Sequence, residues 1–147
     1  TCLKMNGMEH LPKDVDQVVI AGMGAKTMIS ILANAHKKTG LRFLFSPHTD
    51  AADFRLYLVG HGYTIRRERF VYEDQHYYPI MDVVYNDTHQ TLSAYETLYG
   101  KNCLQEEDCL AYLYHMETKL KKLLMHIPPE KQSHIQKQLD ILKNRES

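Results

Sequence analysis

The chain has 147 residues, 44% of them hydrophobic and 24% charged, and its 18 basic and 18 acidic side chains cancel. This composition excludes a disordered or collagen-like chain and is typical of one domain, with or without an appendage. No apolar run approaches the about 20 residues of a membrane span, and no basic-then-apolar leader opens the sequence. The balanced charge gives no overall positive field for a nucleic acid, although a local basic patch would suffice.

The cysteines and histidines indicate no disulfide framework and no metal centre. Cys2, Cys103 and Cys109 are odd in number and form no CxxC pair, which is typical of reduced thiols in a cytoplasmic protein. The nine histidines include no HxxxH or HExxH spacing, so we expect solvated or packing histidines.

The first 87 residues predict the order β-α-β-α-β-β. The first strand is apolar on both faces, as in the middle of a parallel sheet, and the last two strands predict an antiparallel pair. Thr49 and Asp50 are expected to cap the second helix, Gly40 to end the first, and Pro79 suits an edge or the start of a strand. The predicted strands are 16–21, 41–47, 64–74 and 77–87, and the predicted helices are 25–38 and 49–63.

Residues 88–147 predict helices only. An apolar seam at spacings of three and four is followed by "IPPEK", which ends one helix and starts another, and a returning helix carries a matching stripe. We expect a helical hairpin with a shorter leading helix docked through Tyr95 and Tyr99, and a boundary between domains 1–87 and 88–147. The alternative is that these helices simply cover one face of the sheet. The seam residues are Leu113, Met116, Leu120, Leu123 and Ile127, and the returning stripe is Ile135, Leu139 and Leu142.

The sheet predicted from the sequence has no second neighbour for its most apolar strand, 16–21. A strand with two buried faces normally has a partner on each side, and an open apolar edge favours aggregation. Residues 1–12 have the composition of a loop. Either another chain completes the sheet, or these residues are the second half of a larger domain; we expect the second.

The stretch "DQVVIAGMGAKTM" predicts a ligand loop between a strand and a helix. Gly22 and Gly24 fall at the carboxyl end of the strand, where open α/β sheets bind ligands and where backbone N–H groups can approach them. A plain strand-to-helix turn is the alternative.

Taken together, "MNGMEHLPKDVDQVVIAGMGAKTMISIL", "LRFLFSPHTDAADFRLYLVGHGYTIRRERFVYEDQHYYPIMDVVY" and the helical hairpin resemble the carboxyl-terminal two thirds of the bacterial TrmK family. Members of that family methylate N1 of an adenine in tRNA with S-adenosylmethionine. The resemblance implies an α/β fold, the second half of a Rossmann-like class I methyltransferase sheet followed by a coiled-coil-like α-helical hairpin. It also implies that the amino-terminal cofactor-binding part is absent, so that this chain alone binds S-adenosylmethionine weakly or not at all.

Two motifs depart from the family pattern. The family's GMGG is "GMGA" here, and its QPN is "SPH", with Ser46 and His48 in place of the amide residues. The chain also has no tryptophan where the family carries one on the next helix. These departures favour an alternative, a degenerate non-enzymatic module that binds RNA or a partner protein through the helical hairpin.

The resemblance implies roles for individual residues. The cofactor would lie against the two glycine-containing loops, while His48 and Tyr78 would face the target base as candidate catalytic residues. Tyr77 is a second candidate for stacking. Since adenine N1 already carries a lone pair, the chemistry requires orientation more than a catalytic dyad. The candidate cofactor-binding residues are Asn6, Gly7, Gly22, Met23 and Gly24, and the candidate RNA-binding residues are Arg55, Arg67, Arg69, Lys119 and Lys122. Self-association through strand 16–21 or the helical hairpin is a further hypothesis.

Overall fold

The computed structural model describes residues 7–101 and 104–145. Its strands are β1 (Gln17–Met23), β2 (Arg42–Pro47), β3 (Tyr63–Glu73) and β4 (His76–Tyr85). Its helices are α1 (Ala25–Ala33), α2 (Ala51–Gly60), α3 (Ala94–Tyr99), α4 (Glu107–His126) and α5 (Gln132–Lys143), with a short 3-10 turn at Pro129–Lys131. The predicted order of strands and helices is confirmed.

The four strands form one sheet in the order β1-β2-β4-β3. β1 and β2 are parallel, whereas β4 is antiparallel to both β2 and β3. Pro79 precedes Met81, the first β4 residue that pairs with β2, so at Pro79 the strand has β3 as its described partner. A residue without an N–H is tolerated there because no ladder hydrogen bond to β2 is lost.

Both sheet-covering helices are shorter than the sequence predicts. α1 ends at Ala33, and Gly40 lies in the following loop, where its N–H donates to the Tyr85 carbonyl. Asp50 occupies the position before α2 but has a left-handed backbone, φ 54°, and its side chain makes no capping hydrogen bond. The prediction of a side-chain cap by Asp50 was therefore wrong.

β1 lies at the edge of the described sheet and is not buried on both faces. Ile20 packs into the core, but Val19 is 66% exposed. The expectation of an open apolar edge at this strand is thus met within the described residues.

Two hydrophobic clusters organise the fold. The first packs α1 and α2 on the sheet around Phe43, Phe45 and Phe54. The second joins α3, α4 and α5 to Phe70 of β3, whose ring stacks on Tyr112 with centroids 3.8 Å apart. The leading helix docks as expected, since the Tyr99 hydroxyl donates to the Gln138 carbonyl at 2.8 Å.

Only some of the predicted seam residues of α4 pack against α5. Leu113 and Leu120 are buried in the second cluster, together with Leu139 and Leu142 of α5. Leu123 is 37% exposed, and it is Leu124 that packs against that cluster. The helical hairpin is therefore present, but part of the predicted seam faces elsewhere.

Candidate functional site

The loops that follow β1 and β2 meet at one edge of the sheet. Because the two strands are parallel neighbours, their carboxyl ends lie side by side. The His48 N–H donates to the Met23 carbonyl at 3.0 Å, and the Ala25 N–H donates to the Thr49 carbonyl at 3.3 Å. We call this pair of tied loops, residues 22–25 and 47–50, the rim.

Gly22 and Gly24 are needed at the rim for different reasons. Gly22 has φ +77° and coincides with a register irregularity between β1 and β2, so a side chain would strain the backbone although nothing lies within 4 Å of its would-be Cβ. Gly24 has an ordinary backbone, but a Cβ there would lie 2.7 Å from Thr49 Oγ1. Gly22 therefore presents open backbone at the rim, whereas Gly24 permits the close approach of the two loops.

His48 and Tyr78, the two candidate catalytic residues, come together in the structure. Their ring centroids are 4.4 Å apart and their planes are inclined by 35°. His76 extends the row on the same side of β4, with its ring 6.3 Å from that of Tyr78. Three aromatic rings thus form a row from His48 of the rim along β4.

Tyr77 points to the opposite side of β4, as the alternation of a strand requires. Its ring lies 5.6 Å from Tyr112 and 5.1 Å from His115, both on α4. The structure therefore separates Tyr77 from Tyr78 and uses it to connect the sheet with the helical hairpin.

A cleft of about 800 Å³ begins at the rim and runs along α4. We call it the rim–helix cleft. The sequence predicts functional roles for His48, Tyr77, Lys119 and Lys122 among its residues. The other α4 members are ordinary helix residues until their common face is known. Its lining is His48, Asp50, Gln75, His76, Tyr77, Tyr112, His115, Met116, Thr118, Lys119, Lys122, Leu123 and His126.

Arg55 does not lie at a surface available to RNA, so its predicted role in RNA binding was wrong. Its side chain is 1% exposed, and its guanidinium donates to both carboxylate oxygens of Glu68 at 2.9 Å. A further donor reaches the Thr97 carbonyl at 2.9 Å. The polar atoms of Arg55 bind protein groups, which fits a structural role between α2, β3 and α3.

Arg67 and Arg69 share one face of β3, as predicted, and both approach Glu106 of the loop before α4. Arg69 also donates to Asp108 at 2.8 Å, and the Phe70 N–H donates to the other oxygen of that carboxylate. Burial alone would raise the pKa of Asp108, but these donors outweigh it and hold that pKa below its usual value. The two arginines thus attach the start of α4 to the edge of the sheet, and their contact with RNA stays a prediction.

The other predicted site residues are spread over the molecule. Asn6 lies outside the described residues, and a Cβ on Gly7 would meet Ile31 of α1 at 3.4 Å. Lys119 and Lys122 line the rim–helix cleft. Within the described ranges, no group of three metal-ligating side chains is found, and no helix is long and apolar enough to span a membrane.

The fold matches known structures. M. capricolum TrmK, in complex with S-adenosyl-homocysteine, superposes with a TM-score of 0.77 at 29% identity over 97% of this chain. The Streptococcus pneumoniae protein Sp1610 gives 0.74 at 22% identity over 88%. A Streptococcus agalactiae protein of the NADB-Rossmann superfamily gives 0.77 at 21% identity over 95%. The last two likenesses establish a Rossmann-like fold.

This chain spans 66%, 60% and 64%, respectively, of those three structures, so it corresponds to at most about two thirds of each. A comparison with curated proteins gave no significant match. The sequence profile described as TrmK: tRNA (adenine(22)-N(1))-methyltransferase matches residues 1–145. Because that match covers nearly the whole sequence, the chain belongs to the TrmK family.

Proposed function

We propose that this chain takes part in S-adenosylmethionine-dependent methyl transfer to N1 of an adenine in tRNA. Family membership supports the reaction, and M. capricolum TrmK with its bound cofactor product supports the cofactor. The observation that carries the proposal is the rim, where the open backbone of Gly22 and His48 lie at the ends of neighbouring parallel strands, with His48 against Tyr78 of β4. Methyl transfer requires the methyl donor and the target base to reach the same part of the surface.

The residues of the rim fit one side of a cofactor site. Gly22 offers backbone with open space where a side chain would stand, and the hydrogen bond from His48 to Met23 fixes the loop beside it. Gly22, Met23 and Gly24 would hold the cofactor, together with Asn6 and Gly7 as the resemblance implies. Bound S-adenosylmethionine would supply an electrophilic methyl group.

His48 and Tyr78 would position the target adenine. The lone pair of N1 is already nucleophilic, so these side chains need to orient the base and exclude water, not to remove a proton. Methylation leaves a positive charge on the adenine, which aromatic faces stabilise through their electron-rich π systems. The rings of His48 and Tyr78 are inclined by 35° and form a corner that the base would contact.

The partner in this proposal is tRNA, and the place of action is the cytoplasm. Lys119 and Lys122 on α4 are exposed candidates for phosphate contacts. Arg67 and Arg69 already form ion pairs with Glu106 and Asp108, with which a phosphate would have to compete.

We also propose residues 1–87 and 88–147 as separate structural units, and pairing of the β1 edge with a further strand of the same or another chain. Sedimentation analysis would test the latter, since a concentration-dependent dimer abolished by Val19→Lys is expected from strand pairing between copies.

The test of the proposed function is transfer of a labelled methyl group to unmodified tRNA. This chain and a form extended at its amino terminus are compared, and the product is located by the reverse-transcription stop that N1-methyladenine causes. The proposal expects methylation at N1 of one adenine by the extended form, and little or none by this chain alone. Calorimetry should likewise show weak or no cofactor binding by this chain; micromolar affinity would contradict that expectation.

The alternative is the non-enzymatic module, favoured by the GMGA and SPH departures. It predicts RNA or partner-protein binding without methyl transfer by either form. The same assay therefore separates the two functions.

A further inference from the structure

The rim–helix cleft has a chemical character that the methyl-transfer centre does not explain. Its α4 wall extends from Tyr112 to His126, which is about 21 Å of helix and about the rise of six stacked nucleotides. The cleft is also far larger than the aromatic corner at His48 and Tyr78. A ligand that occupied the corner alone would leave most of the cleft unused.

The charge of the cleft favours a polyanion. Lys119 and Lys122 are exposed along its wall, and neither forms an ion pair within the described parts of the chain. By contrast Lys121, on another side of the same helix, is neutralised by Glu117 at 2.6 Å. Asp50 is the one carboxylate among the cleft residues that the structure describes.

Histidines add hydrogen-bonding groups along the same wall. His126 Nδ1 lies 2.7 Å from the Lys122 carbonyl, and because a carbonyl only accepts, this nitrogen carries the hydrogen. In this tautomer Nε2 is an acceptor and is left for an outside donor, such as a ribose hydroxyl or a base amino group. His115 and His76 line the cleft nearer the rim.

The remaining lining is aromatic and apolar. Tyr77 and Tyr112 present part of their rings to the cleft, and Met116 and Leu123 flank the two lysines along α4. Leu123 is 37% exposed, whereas Tyr77 and Met116 are half-buried against the second cluster and Tyr112 is buried in it. Cations beside exposed aromatic and apolar groups are the combination that binds unpaired bases and their phosphates.

Resting on the proposed function, we infer that the rim–helix cleft binds a single-stranded RNA segment adjoining the target adenine. Phosphates contact Lys119 and Lys122, a ribose hydroxyl or base amino group donates to His126 Nε2, bases contact Tyr77, Met116 and Leu123, and the target base occupies the corner at His48 and Tyr78. The helical hairpin thereby fixes the direction in which the substrate strand leaves the methyl-transfer centre.

Fluorescence anisotropy with labelled unmodified tRNA tests this assignment on the present chain. The double variant Lys119→Ala, Lys122→Ala is expected to weaken binding about tenfold or more and to reduce the slope of log K against log salt by about two. Lys121→Ala, Lys143→Ala, two helical lysines outside the cleft, should change neither. Unchanged affinity and slope in the first pair, or equal losses in both pairs, would overturn the assignment.

A second pair of variants tests the apolar wall. Leu123→Glu places a negative charge in the cleft at a side chain that is already 37% exposed, while Leu110→Glu does so at a 47% exposed position of α4 outside it. We expect Leu123→Glu alone to weaken RNA binding at least tenfold, with circular dichroism confirming that both variants fold. Equal behaviour of the two variants would contradict the role of this wall.

Competition between a single-stranded oligoribonucleotide and its duplex tests the class of ligand. The single strand should compete at least tenfold better, and equal competition would overturn the preference for unpaired RNA. Binding through the cleft without methyl transfer would refute the enzyme but keep the cleft. Methyl transfer by a Lys119→Ala, Lys122→Ala protein of normal RNA affinity would keep the enzyme and refute the cleft.

Discussion

Arg55 of α2 and Glu68 of β3 form a bidentate ion pair in which the side chains are 1% and 0% exposed. Arg55 also donates to the Thr97 carbonyl at the end of α3, and Glu68 accepts from the Lys101 N–H. The pair therefore lies where the sheet, α2 and α3 meet. Burial of such a pair is costly, but removal of one partner costs far more, because the other partner then remains as an uncompensated buried charge.

Removal of Arg55 should destabilise the whole fold. Arg55→Met is expected to lower the free energy of unfolding by about 3–5 kcal/mol, measured by urea denaturation. Arg55→Met, Glu68→Gln should cost less than the sum of the single changes, since it leaves no isolated charge. Lys121→Ala, which removes an exposed pair within α4, should cost only about 0.3–0.5 kcal/mol. A loss below 1 kcal/mol in Arg55→Met would contradict this account.

The glycines of the rim should respond differently to alanine. Gly24→Ala places a Cβ against Thr49 Oγ1 and should cost about 1–3 kcal/mol, most of which Thr49→Ala should restore. Gly22→Ala should cost about 1–2 kcal/mol because of its positive φ, and Thr49→Ala should not rescue it. Thermal or urea unfolding of the six proteins completes both cycles. Rescue of both variants, or of neither, would refute the distinction.

Asp108 should make the attachment of α4 sensitive to acid. Its pKa is lower in the folded chain than in the unfolded chain, so its contribution is present above the unfolded value of 3.8 and is lost as pH falls through the folded value. Asp108→Asn should therefore be less stable than the wild type at pH 7, and the difference should narrow below about pH 4. Glu107→Gln, an exposed neighbour, serves as the control. A difference that stays constant from pH 7 to pH 2 would contradict the assigned role.

Tyr99 should hold α3 on α5 through its hydroxyl. Burial raises its pKa to about 12 from 10.0, so stability from this group is lost as pH rises from about 10 to about 12. Tyr99→Phe removes the bond to the Gln138 carbonyl and should cost about 1 kcal/mol. Tyr114→Phe, at a 75% exposed position, should be neutral. Equal stability of Tyr99→Phe and wild type would show that the hydroxyl bond contributes nothing.

The sequence predicts the strand order along the chain, the parallel opening and the antiparallel closing pair, because alternation and apolar runs are local signals. It does not reveal that Glu68 is buried. Tyr63 and Ile65 point inward, but the register irregularity between Ile65 and Arg67 shifts the inward face to Glu68 and Phe70. A β-bulge depends on pairing with β4, which no local pattern shows. Arg55 was misassigned for the same reason, since its partner became visible only with this shift.

For the candidate site, the glycine loop and the SPH loop could be predicted to share an edge, because parallel strands place their carboxyl ends together. The contact between His48 and Tyr78 depends on β4 lying beside β2, which the sequence order alone does not specify. The rim–helix cleft was not predictable, since it requires the position of α4 against β3. The apolar seam assigned Leu123 to the helical hairpin, whereas Leu123 is exposed in the cleft; Met116 lines the cleft and also packs against the second cluster, as the seam predicts.

The central claim is that the rim positions the target base for methyl transfer, and the most direct measurement is steady-state methyl transfer to tRNA by the amino-terminally extended form. Tyr78→Ala and His48→Ala should each lower kcat by about 100-fold while tRNA affinity stays within about twofold, because they remove orientation and not the main binding contacts. Tyr114→Ala, an exposed aromatic on α4, should leave kcat unchanged. Wild-type kcat in both Tyr78→Ala and His48→Ala would contradict the account.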